Sequence, residues 1–207
     1  MQISRESRQT HANNLHLSFI RVQFACIRGQ ILRYDERMIG IPERGEAGEY
    51  YFTYINRISS GDILGVLESQ IETTTAFLRG ISEEQSLYRY APDKWSIRQL
   101  WNHVNDAERV FGGRAFWFAR GLEAALPSFD QNVAAASAHA DSIAWAQHIE
   151  EFRHIRMSSV ALFRSLPVEA WKRSGVASGN AVSVRALAYI VAGHTDHHMA
   201  ILRERYL

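Results

Sequence analysis

Ser183 to Leu202 read SVRALAYIVAGHTDHHMAIL. Leu187, Ile190, Val191, His194, His198, Ile201 and Leu202 recur at three- and four-residue spacing, which marks one face of an α-helix. Ser183 stands where an N-cap is needed, and Val182 and Leu187 occupy the positions of a hydrophobic staple. The histidines continue the apolar stripe, so they are expected to face a core. His194 and His198 lie four apart, one turn from each other on one face, which lets two imidazoles of one helix reach a single metal ion. His197, three after His194, is the competing partner. A buried polar group without a partner costs on the order of 1–3 kcal/mol, and a metal ion would satisfy both imidazoles at once. A hydrogen-bonded or surface pair is the plainer alternative.

Three further helices are expected upstream. One begins near Asp62, capped by Ser60 or Asp62, carries Ile63, Val66, Leu67, Ile71, Phe77 and Leu78 on one side, and ends at Gly80 as a left-handed cap. The next opens at Ser96, where Gln99 completes a capping box and Trp95 with Leu100 a staple; it runs to about Arg120, before Gly121. His103 lies on its apolar side with Leu100, Ala107 and Val110. Asp106 and Glu108 are assigned to a solvated face rather than to the orientation of an imidazole or to base catalysis. The third runs from Asp141 or Ser142 to about Ser165 on Trp145, Ile149, Phe152, Val160 and Phe163, leaving His148 and His154 exposed.

Between these helices lies LEAALPSFDQNVAAASAHAD, residues 122–141, longer than an ordinary loop and therefore either a crossover or a flap over a site, with room for a short helix. His139 within it reads as a polar loop residue. VEAWKR after Pro167 suggests a turn or short helix, and SGVASGNAVS a loop rich in Gly and Ser. Residues 39–60, with the aromatic run Tyr50, Tyr51, Phe52 and Tyr54, read as an extended leader that covers one end of a core. Nothing reads as a sheet. The expected fold is all-α, a four-helix bundle with a long crossover connection, in which His103 of the second helix could meet His194 and His198 of the last. A three-imidazole set leaves coordination positions open, as catalysis or substrate binding requires.

Composition narrows the classes of function. The formal net charge of +1 gives no support to a nucleic-acid binder, and no run approaches the ~18 consecutive apolar residues of a membrane span, so a cytoplasmic protein is expected. The single cysteine, Cys26, excludes an intramolecular disulfide and a thiolate cage, so any metal here has N or O ligands. Residues 1–37 hold six arginines against three acids, with no sustained periodicity beyond a short helix at 17–32. They are expected to be a disordered tail or an over-extended start, with Met38 the internal candidate, and 38–207 to form the domain.

YRYAPDKWSIRQLWNHVNDAERVF, EEFRHIRMSSVALFRSLP and SVRALAYIVAGHTDHHMAILRERYL together resemble the DinB-like (YfiT-like) metalloprotein superfamily, over roughly Gly45 to Leu207. The resemblance implies a four-helix bundle, often a homodimer. It also implies a divalent ion, zinc or nickel, held by one histidine of the second helix and two of the last spaced four apart. On this chain these are His103, His194 and His198, which selects His198 over His197. It implies further a thiol S-transferase using a bacillithiol- or mycothiol-type cosubstrate, or else a metal-dependent hydrolase; a non-catalytic metal-binding bundle is the third reading.

Overall fold

The computed structural model describes residues 39–207; the expected helix at 17–32, Cys26 and Met38 lie outside them. Six α-helices and one hairpin occur among the described residues. They are α1 (Phe52–Ile55), α2 (Ile63–Arg79), α3 (Ile97–Ala119), α4 (Gln131–Ser137), α5 (Trp145–Arg164) and α6 (Val184–Ile201), with β1 (Ser174–Ala177) and β2 (Asn180–Ser183).

The caps anticipated from sequence define three of the four long helices. Asp62 Oδ1 accepts from Gly65 N at 3.0 Å. Ser96 Oγ accepts from Gln99 N while the Gln99 side chain accepts from Ser96 N, a complete capping box. Ser183 Oγ accepts from Ala186 N at 2.9 Å. Such a cap contributes ~1 kcal/mol and fixes where each helix begins. Gly80 differs from expectation: its φ is −73°, ordinary right-handed backbone, so the chain turns without a left-handed cap. Ile81 still folds back into the core. α5 begins at Trp145 rather than at 141 or 142, because a 3-10 turn at Ala140–Ser142 occupies the earlier residues.

α2 and α3 each pack against both α5 and α6, whereas α2 and α3, and likewise α5 and α6, lie on the diagonals of the bundle. Helices joined by short loops are ordinarily antiparallel neighbours. Here residues 80–96 and 165–183 are long enough to carry the chain across the bundle. This order brings α3 against α6, and with it the two histidine-bearing faces.

The apolar core falls into two clusters along the bundle axis. One gathers Ile63, Leu67, Phe111, Ala115, Phe118, Phe163, Leu187 and Ile190; the other gathers Leu78, Leu100, Trp101, Val104, Trp145, Phe152, Met199 and Leu202. Between them lies a polar layer drawn from all four long helices. Arg156 of α5 is fully buried, donates from Nε and Nη2 to both carboxylate oxygens of Glu108 (2.8 and 2.9 Å), and reaches Gln70 of α2 and Thr195 of α6. Gln70 Nε2 passes on to Asp196 Oδ1 at 2.8 Å. Glu108 is therefore not on a solvated face, while Asp106 is half-buried and accepts from Asn102 and Arg109. His148 is likewise buried rather than exposed, its Nε2 3.0 Å from the Ala140 carbonyl; His154 is exposed as expected.

Two segments depart from the sequence reading. The leader is helical in part, a 3-10 turn at Glu49–Tyr51 running into α1, and packs on α6. Gly193 makes that approach possible, since a Cβ there would fall 2.1 Å from the Tyr54 carbonyl oxygen. The Gly/Ser loop is a hairpin: β1 and β2 pair antiparallel, with Val176 opposite Ala181, across Ser178–Gly179, whose φ values of 53° and 75° belong to the two-residue turn that suits strand twist. The long connection packs α4 on α3 and ties Leu126 to the hairpin through Leu126 N to Val176 O, 2.9 Å.

Candidate metal centre

His103 of α3 and His194 and His198 of α6 meet inside the bundle, all three buried. His194 Nε2 lies 3.2 Å from His103 Nε2 and 3.1 Å from His198 Nε2. An ion 2.0–2.1 Å from two such nitrogens holds them roughly 3.0 Å apart at octahedral angles and roughly 3.4 Å apart at the tetrahedral angle. The observed spacing falls between the two. Neutral imidazoles can share hydrogens only pairwise, so three Nε2 atoms converging on one point form a donor set that a divalent cation fits better than hydrogen bonds do.

Burial keeps these rings neutral. It pushes the His103 pKa down to about 4, with electrostatic repulsion from the His197 ring adding to the effect. His194 and His198 are held well below 6.5, first by burial and then by the neighbouring rings. The outward Nδ1 atoms of His103 and His198 find no acceptor among the described residues, so the carboxylate or carbonyl that usually orients a ligand imidazole is absent there. Aromatic packing does that orienting. Trp95 lies 5.2 Å from the His103 ring, and its own carbonyl is held by Tyr206 Oη at 2.8 Å; Tyr54 packs edge-on against His194 at 5.1 Å.

His197 stands outside the cluster. It is half-buried, and its Nδ1 pairs with Arg57 Nη2 at 3.2 Å. His139 is exposed in the long connection and takes no part.

A cavity of about 160 Å³ opens on His103 and His194. Tyr50, Tyr51 and Tyr54 of the leader, Phe111 and Arg114 of α3, Phe129 and Gln131 of the long connection and Ser178 of the hairpin complete its wall, so the connection serves as a flap. No carboxylate lines it. Tyr50 and Tyr54 share a 2.8 Å hydrogen bond, and burial, then that bond, hold the Tyr54 phenol protonated far above its usual range. The sequence reading placed the tyrosines at a core end and passed over Arg114. Positions 103, 107, 110 or 111, and 114 continue one helical stripe, and that stripe was the available signal.

A four-helix bundle with a buried three-imidazole cluster and a cavity beside it defines the class. The family model described as the DinB superfamily matches residues 67–202, and this chain belongs to that superfamily. Among solved structures it is similar to YfiT from Bacillus subtilis, described as a probable metal-dependent hydrolase with an unusual four-helix bundle topology. The identity is 16%, with 69% of this chain and 82% of that one covered and a TM-score of 0.59. None of the curated proteins matches the chain.

Proposed function

We propose that this chain holds one divalent ion, zinc or nickel, through His103, His194 and His198, and uses it as a thiol S-transferase. A divalent ion with open positions lowers the pKa of a bound thiol or water and so supplies a nucleophile at neutral pH. The observation that carries the reading is the cavity against His103 and His194, since a metal that only supported the fold would be closed by a fourth protein ligand. Beside that cavity the protonated Tyr54 phenol can donate a hydrogen bond to a leaving group or oxyanion, and Phe111 and Phe129 exclude water.

The choice of thiol over water rests on the acid-free lining. Hydrolysis ordinarily employs a carboxylate or histidine base to take the proton of water, and no carboxylate faces this cavity. A thiol, with an unperturbed pKa near 8.5, needs far less assistance. The single cysteine, Cys26, lies outside the described residues, and in this reading the cosubstrate, a low-molecular-weight thiol of bacillithiol or mycothiol type, brings the sulfur. The hydrolase reading is favoured by one observation, the likeness to YfiT. Adding such thiols to cobalt-substituted protein should produce a sulfur-to-metal charge-transfer band. Absence of the band with all of them, together with turnover of ester or amide substrates, would reverse the choice.

A further inference from the structure

Arg114 is 6% exposed, yet it has no carboxylate partner among the described residues. Its Nη2 donates to the Pro127 carbonyl and to Ser178 Oγ, both at 2.9 Å, and the guanidinium leans on the Phe111 ring, 6.0 Å from its centroid. Nε and Nη1 make no hydrogen bond among the described residues, and the side chain lines the cavity that opens on His103 and His194. The other buried arginine of α3, Arg98, has Glu83, and Arg156 of α5 has Glu108. A buried guanidinium that keeps its charge calls for an anion, and its planar fork suits a carboxylate or phosphate.

We propose that Arg114 binds the anionic group of the substrate or cosubstrate, and that this site selects molecules with a metal-binding group at one end and a carboxylate or phosphate at the other. The proposal rests on the open metal reading above and adds the substrate class. Arg114 follows His103 by three helical turns on the same face, about 16 Å of rise. Helical side chains lean toward the N-terminus, so the guanidinium leans back along the stripe toward the imidazole cluster, over the Phe111 ring that itself packs on His194. The wall between is aromatic, with Phe111 5.9 Å from the His194 ring, and suits an uncharged linker. Pro127 and Ser178 hold the guanidinium from the flap and the hairpin, which fixes its direction without neutralising it.

The test uses the full chain loaded with zinc and two sets of hydroxamates, which ligate a divalent ion whether thiol or water is its natural partner. One set is the monohydroxamates of linear dicarboxylic acids of four to eight carbons; the other is the alkyl hydroxamates of equal length. Calorimetry should show the carboxylate set binding at least tenfold more tightly at its best length. Arg114→Gln, which retains an amide donor for Pro127, should abolish that preference while leaving alkyl hydroxamate affinity within twofold, and Arg114→Lys should retain part of it. Equal affinity of the two sets for the unaltered protein would overturn the anion site and leave the metal reading intact. Carboxylate binding that requires Arg114 but gains nothing from zinc would uphold the anion site and overturn the open metal. Binding by neither set would overturn both.

Discussion

At the scale of single residues, the histidines and the buried charges had unequal visibility. Helical spacing pointed to His194 and His198, and the family resemblance selected them with His103. The same spacing also placed His148 and Arg156 on the apolar face of α5, three after Trp145 and four after Phe152, and Glu108 four after Val104. The expectation that charged and polar residues face water overrode the period, and it fails where partners are supplied from other helices. Arg156 has such partners in Glu108, Gln70 and Thr195, none of them near it in sequence. Removing one member leaves an uncompensated buried charge, so Arg156→Leu should destabilise by about 3–5 kcal/mol. For a chain of this size that lowers Tm by roughly 6–20 °C. The double variant Arg156→Leu, Glu108→Leu should recover most of the loss. Additive losses in thermal melts would show that the pair is not coupled.

At the scale of elements, caps were the most legible feature, because Ser96 with Gln99 and Ser183 act within their own helix ends. The hairpin was less so: its strands are four residues each, with only Val176 and Val182 as β-formers, although Ser178–Gly179 carried a turn signal. The helical leader was hidden for another reason, since α1 is held by contact with α6 rather than by its own propensity. Its attachments give two predictions. Gly193→Ala places a methyl against the Tyr54 carbonyl and should lower stability by about 1–3 kcal/mol while displacing Tyr54 from His194. An unchanged melting temperature would contradict that packing. Glu46 accepts from Ser183 Oγ and Arg185, and although burial acts to raise its pKa, Arg185 with the other hydrogen bonds outweighs it and holds the carboxyl below 4.5. A depressed carboxyl stabilises the fold above the unfolded-state pKa and loses that contribution as pH falls through the folded one. Glu46→Gln should therefore lower Tm by a few degrees at pH 7, and the difference should shrink toward zero below pH 4. A difference independent of pH would contradict the ion pair.

At the scale of the whole molecule, the bundle itself was legible, whereas the order of its helices was not. Periodicity states which face is buried but not which helix it meets, and here α3 meets α6 across connections that pass over the diagonals. That order assembles the candidate centre from residues 91 and 95 positions apart. Residues 1–37 lie outside the family match, and we propose that the chain begun at Met38 keeps its ellipticity and melts within a few degrees of the full protein. A substantially lower melt would contradict it. We also propose the homodimer that the resemblance implies, for which light scattering at micromolar concentration should give twice the chain mass; the monomer mass would remove it. The central claim is that one ion joins α3 to α6, and metal content is its most direct measure. Elemental analysis of the purified full chain should find about one divalent ion per chain. His103→Ala and His198→Ala should each lose it, and His197→Ala, which removes a ring paired with Arg57 outside the cluster, should retain it. Full metal content in His103→Ala would contradict a centre shared between the two helices.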